Sequence, residues 1–152
     1  MSNYSYIRDA MGYKERSTYV ELIVGVGVFI WYLVNILGRL QTAAFADVSF
    51  QRPMITAVVI SIVATIVLHI VASILTGNSD TREDQRDRQI ARFGDWAGIF
   101  PLSAGAGTAL VLAMLELDHF WIANAIYAGF FISSVTAAIT TLVTYRRGLA
   151  GA

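Results

Sequence analysis

Four runs of almost uninterrupted apolar residues, at positions 18–37, 54–76, 96–117 and 120–144, alternate with short polar gaps. A helix needs about 20 residues to cross the roughly 30 Å hydrocarbon core of a bilayer, and each run has that length. The runs are apolar around the whole helix rather than along one stripe, which is the pattern of a helix surrounded by lipid or other helices. Open strands cannot satisfy their backbone in lipid, and the ten-residue alternation of a membrane β-barrel is absent. The pattern predicts an all-α fold, an integral membrane four-helix bundle.

The gaps carry their own signals. Residues 1–17 place Tyr4, Ile7 and Met11 at helical spacing, which fits either a short interfacial helix or a disordered tail. The second gap, 38–53, reads as a loop with Leu40, Phe45 and Phe50 resting on the membrane surface. The third, 77–95, opens with Gly77-Asn78, a common way to end a helix. Asp80 or Thr81 then caps a new short helix over 81–94, with Glu83 or Asp84 three residues on, as in a capping box. Asp84 with Arg88 and Glu83 with Arg86 add helical ion pairs, and Ile90, Phe93 and Ala97 share one face. Ala44-Phe45-Ala46 has the look of a signal-peptide cleavage site, but the run before it exceeds a typical signal core and reads as a retained span.

Charge fixes the expected orientation. Arg8, Lys14 and Arg16 precede the first span, Arg82, Arg86, Arg88 and Arg92 lie between spans two and three, and Arg146 and Arg147 follow the fourth. These gaps share one side and hold nine of the 11 cations; only Arg39 and Arg52 lie opposite. The positive-inside rule therefore places both termini and the charged gap in the cytoplasm. Tyr19, Trp96 and Tyr145 fall at the inner interface, and Trp31, Tyr32 and Trp121 toward the outer one, where amphipathic rings settle.

Composition agrees: 56% of residues are hydrophobic and 14% charged, against roughly 25% charged in a soluble domain. The zero net charge gives no field that would attract nucleic acid. Without cysteine there are no disulfides, thiolate nucleophiles or thiol-bound clusters. No Gly-rich phosphate loop or H-E-x-x-H pattern occurs, and two histidines are too few to build a convincing catalytic base or haem site. The chain reads as non-enzymatic, with no cofactor and no metal.

Small residues recur every fourth position in three spans: Ala57, Ser61, Thr65, His69, Ser73 in the second; Ala97, Pro101, Gly105, Ala109, Ala113 in the third; Ala125, Gly129, Ser133, Ala137, Thr141 in the fourth. Such stripes let membrane helices approach closely, so spans two to four are expected to pack on one another. A sharper reading makes Ser61, Thr65 and His69 a polar pathway, joined by Glu21 of the first span. Glu21 and His69 are the ionisable residues at membrane depth, where such groups are expensive and functional by default. Their depths differ by only about 6 Å at 1.5 Å per residue, so a hydrogen bond or ion pair between them is possible; a working site should point into the bundle, and a His69 facing lipid would sink it. Glu116, Asp118 and His119 crowd the third turn and read as a solvated turn ahead of a cation site.

The charged loop from Asp80 to Ile90, together with Ala123-Asn124-Ala125 through Tyr145-Arg146-Arg147-Gly148, resembles a family of small four-span bacterial membrane proteins with a D-E-R-D-x-x-I-like loop between spans two and three. Some members are paired with cytoplasmic transcription regulators. The resemblance implies the bacterial inner membrane and a role as membrane-bound partner or inhibitor, with no catalytic residue to carry over. The leading expectation is a regulatory or adaptor protein presenting Arg82, Glu83, Arg86, Asp87, Ile90 and Phe93 to a protein partner. The alternatives are a small oligomeric transporter or channel using Glu21 and His69, and an accessory subunit of a larger complex; in each, the bilayer and either further copies or another protein are the partners. Reporter fusions at Gln85 and at the C-terminus should read as cytoplasmic and one at Ala46 as external; a cytoplasmic signal from Ala46 would reverse the topology.

Overall fold

The computed structural model describes residues 3–41, 49–76 and 85–147, with side chains for 17–41, 49–71, 74 and 87–146. It contains α1 (Asn3–Leu40), α2 (Gln51–Thr76), α3 (Gln85–Met114) and α4 (His119–Arg147), and no strand among the described residues. Each helix holds a stretch long and apolar enough to span a membrane: Ser17–Leu40, Gln51–Val71, Asp87–Met114 and His119–Arg146.

Two expected boundaries change. Residues 3–17 are not a separate element, because α1 is one unbroken helix; between Asn3 and Tyr19 only Gly12 weakens it, and one glycine costs about 1 kcal/mol. The described part of 81–94 is likewise the start of α3, continuous with the third span. Pro101 removes one backbone bond inside α3 without ending the helix.

The α3–α4 hairpin is the most extensively packed part of the molecule. A side-chain carbon added at Gly105 would lie 2.6 Å from the Gly129 Cα, closer than atoms tolerate, so these two backbones touch only because both residues are glycine. The contact continues from Gly98 to Ser133 and Ala137, and from Gly94 to Ala137 and Thr141. The fourth-span stripe is thus the α3-facing line. The third-span stripe is so in part: Gly105 touches α4 and Ala109 is buried, but Ala113 is exposed and the close contact also runs through Gly94 and Gly98, outside the stripe. A strict every-fourth-residue line drifts about 40° around a helix per step. One three-residue step brings the α3 line back toward its partner.

The turn between them is a Schellman ending. The Leu117 N–H donates to the Leu112 carbonyl at 3.1 Å and the Glu116 N–H to Ala113 at 3.1 Å, with Glu116 left-handed at φ 54°. The Trp121 N–H then donates to the Asp118 carbonyl at 2.9 Å to start α4.

α1 packs on α4 and on α2, whereas α2 has no comparable contact with α3 or α4. The order across the molecule is therefore α2, α1, α4, α3, a row open between its two ends. Spans two to four do not form the mutual stack expected from their stripes; α2 instead seats Ala57, fully buried, against Tyr32 and Ile36 of α1. Phe120 completes that cluster, with Leu40, Phe50 and Tyr127 packed on it. Tyr32 is consequently core and not interfacial belt, and Leu40 and Phe50 turn inward instead of resting on a membrane surface; Phe45 lies outside the described residues. The Phe29 and Phe131 rings stack at 3.8 Å to hold α1 on α4.

Glycine contacts make a sharp test. Gly105→Ala should lower the thermal unfolding midpoint in detergent by the equivalent of about 1–3 kcal/mol, the usual penalty of overpacking. Gly107→Ala, whose added carbon meets nothing within 4 Å, should be neutral or stabilising. Equal tolerance at both would remove the close contact.

Candidate functional site

Near the end of the molecule where α1 enters and α4 leaves, Glu21 and His69 meet. The Glu21 Oε1 lies 3.3 Å from the His69 Nε2 and also accepts a 3.1 Å hydrogen bond from the Ser17 hydroxyl. Ser17 and Glu21 are one helical turn apart on α1, so the hydroxyl orients the carboxylate from the same helix face. His69 comes from α2, and the pair bridges the two helices.

Its location differs from the expected one. A working site within one copy should point into the bundle, yet the His69 side chain is 63% exposed and that of Glu21 38% exposed, which counts against a shared site enclosed by one copy. The reason is rotational. Ala57 marks the line along which α2 touches α1, and His69, 12 residues on, is turned roughly 120° from it at 100° per residue. With no third helix beyond, that side of α2 looks outward.

The remaining members of the polar line do not extend the pair. The Thr65 hydroxyl donates to the Ser61 carbonyl at 2.8 Å, a bond within its own helix, and among the described residues none joins Thr65 to His69. Ser61 is half-buried and Thr65 exposed. A chain of hydroxyls passing a proton along α2 is therefore not assembled within one copy.

The surface assigned to a cytoplasmic partner is also rearranged. Ile90 is completely buried, so it belongs to the packed core and cannot be offered to a partner. Phe93 is half-buried with its ring 6.5 Å from that of Trp96. Asp87 accepts a 3.0 Å hydrogen bond from the Tyr145 hydroxyl, tying α3 to the end of α4. Arg82 and Glu83 lie outside the described residues, as does the Arg86 side chain. Nearby, the Arg146 guanidinium donates to the Tyr19 hydroxyl at 2.5 Å and sits 5.9 Å from its ring centre, linking α4 to α1.

One polar interaction absent from the sequence reading holds the fold at the opposite end. The Tyr32 hydroxyl, on a side chain only 1% exposed, donates to Asn124 Oδ1 at 2.7 Å, and Asn124 Nδ2 donates to the Phe120 carbonyl at 2.8 Å. The available signal was Asn124 itself, since an amide inside an apolar span demands a partner. Glu116, Asp118 and His119 do not converge: among the described residues no three acidic or histidine side chains are grouped to hold a metal.

No family model, curated protein or solved structure matches this chain. Its site must be argued from its own residues.

The two polar contacts should respond differently to substitution. Tyr32→Phe removes the donor to a part-buried amide oxygen and should lower thermal stability in detergent by about 1 kcal/mol. Glu21→Gln and His69→Gln disturb a largely exposed pair and should each change the stability of the detergent-solubilised monomer by less than about 1 kcal/mol. A larger loss for His69→Gln than for Tyr32→Phe would make the pair a structural clamp.

Proposed function

We propose that this chain is a non-catalytic, multi-pass protein of the bacterial inner membrane, with both termini cytoplasmic, that acts as a regulatory or adaptor subunit through side-by-side contact with protein in the bilayer. The observation that carries this is the Glu21–His69 pair on an exposed face, within stretches apolar enough to span a membrane. An ionisable pair facing hydrocarbon is expensive, and polar side chains between membrane helices are a source of association. A face of this kind is satisfied when another protein covers it.

The contact surface therefore shifts from the 81–94 segment to the α1/α2 edge, because burial of Ile90 removes the apolar anchor of the former. The resemblance in the charged loop, with its implied membrane-bound partner role, agrees with an adaptor. The cation bias, nine of 11 on one side, supports the orientation.

Conduction is the second reading, favoured by the contiguous Ser17, Glu21 and His69, three groups with exchangeable protons in contact at membrane depth. Size and flux separate the two. In mild detergent the wild type should migrate above its 16.6 kDa monomer, and Glu21→Gln or His69→Gln should shift it toward that size, with proton flux in proteoliposomes at background throughout. Flux in the wild type that Glu21→Gln abolishes would favour conduction instead. A monomer without flux would overturn both.

A further inference from the structure

We propose that the occupant of the α1/α2 face is a second copy of this chain, docked about a two-fold axis along the membrane normal so that Glu21 of each copy meets His69 of the other. This rests on the reading that the face is covered by protein, and goes beyond it by naming the protein.

Three observations converge. The first is charge complementarity. Within one copy the Glu21 Oε1 receives both Ser17 and His69, and no described group contacts the Oε2 or the far side of the imidazole. Among the described residues each copy thus presents a carboxylate oxygen that can accept and a second imidazole nitrogen, which donates to such an oxygen when the ring is an imidazolium. A surface offering both halves of an interaction is complementary to itself, which is what an isologous interface requires. A two-fold axis along the membrane normal also leaves the two pairs at the same depth.

The second observation is space. The glycines at the α3–α4 seam (Gly94, Gly98, Gly105 and Gly129) face the other helix, whereas Gly25, Gly27, Gly38 and Gly107 have nothing within 4 Å of where a side chain would begin; of these open glycines Gly25 is the one a single turn from Glu21 on α1. Glycine weakens a helix by about 1 kcal/mol relative to alanine, and here no contact within the monomer uses the room it leaves. A second backbone approaching beside Glu21 uses it.

The third is the open order of the helices. α2 is the thinly packed end of the row, with α1 its principal neighbour, so a partner reaching the pair meets no obstructing helix of the same chain. A hollow of about 470 Å³ between α3 and α4, lined by residues including Phe100, Pro101, Ala104 and Thr108, is apolar and holds no ionisable group that would select a partner.

The chain has no cysteine, so single cysteines can be placed without background. Ile62 is 54% exposed and lies two turns before His69 on nearly the same line of α2; Phe100, 79% exposed, marks the α3/α4 hollow. In native membranes Ile62→Cys should form disulfide-linked dimers on mild oxidation and Phe100→Cys should not. Glu21→Gln and His69→Gln each remove both contacts between copies and should weaken the dimer about 25-fold, about fivefold for each interhelical hydrogen bond lost.

The decisive measurement is co-expression of differently tagged Glu21→Gln and His69→Gln chains. Both internal pairs are then broken, but a mixed dimer retains one Glu21–His69 contact between copies. Mixed dimers should exceed the statistical share, and each variant alone should dimerise poorly. Random mixing, or a cross-link at Phe100→Cys in place of Ile62→Cys, overturns the proposal. If Ile62→Cys fails to cross-link but is shielded from a lipid-soluble maleimide by a different co-purifying protein, the second copy is wrong and the covered face stands. If it is freely labelled in a monomer, both fall.

Discussion

The backbone contact between Gly105 and Gly129 sets the geometry on which the other contacts are hung. In hydrocarbon there is no hydrophobic force to drive helices together, so close packing and scarce polar bonds must hold the bundle. The glycine-lined seam makes α3 and α4 a tight hairpin, closed at one end by the left-handed Glu116 turn and at the other by the Asp87–Tyr145 bond. That hairpin presents the opposite side of α4 to α1, through the stacked Phe29 and Phe131 and the Tyr32–Asn124 bond. α2 is attached one step further out, through Ala57 on α1. The α3–α4 seam is by far the most extensive contact, those of α1 with α4 and with α2 are similar and smaller, and the ionisable pair lies at the α1–α2 end. Ionisable groups at membrane depth are expensive against lipid, and they are found facing protein, water or the headgroup interface.

The sequence was legible where hydrocarbon sets the rule. Four runs of spanning length predict four helices, and the stripe Ala125, Gly129, Ser133, Ala137 and Thr141 is the line that touches α3. Glu21 and His69, marked by depth alone, do stand in contact. What could not be read was which face of each helix meets which neighbour. The strict spacing of Ala97 to Ala113 follows the α3 seam only around Gly105 because helical drift accumulates, and it omits Gly94 and Gly98, which also touch α4. Tyr32 illustrates the same difficulty: an aromatic hydroxyl toward a span's end fits the interface equally well until Asn124, 92 residues later, is found opposite it. Ile90 was assigned to a solvent face by its charged surroundings, though α3 runs straight through and carries it into the core. In each case the missing information was long-range.

Finally, α4 is the last helix to be synthesised, yet among the principal helix contacts it is the sole partner of α3 and joins α1 to it. During biogenesis only the α1–α2 pair can assemble before the ribosome reaches residue 119; α3 must wait in the bilayer or the insertion machinery with Gly94, Gly98 and Gly105 unfilled. The bonds from Tyr32 to Asn124 and from Tyr19 to Arg146 close loops of 92 and 127 residues, so most of the tertiary structure becomes available in one late step. The first hairpin to form is the one bearing Glu21 and His69. It therefore meets its surroundings, lipid or neighbouring chain, before the rest of its own fold exists.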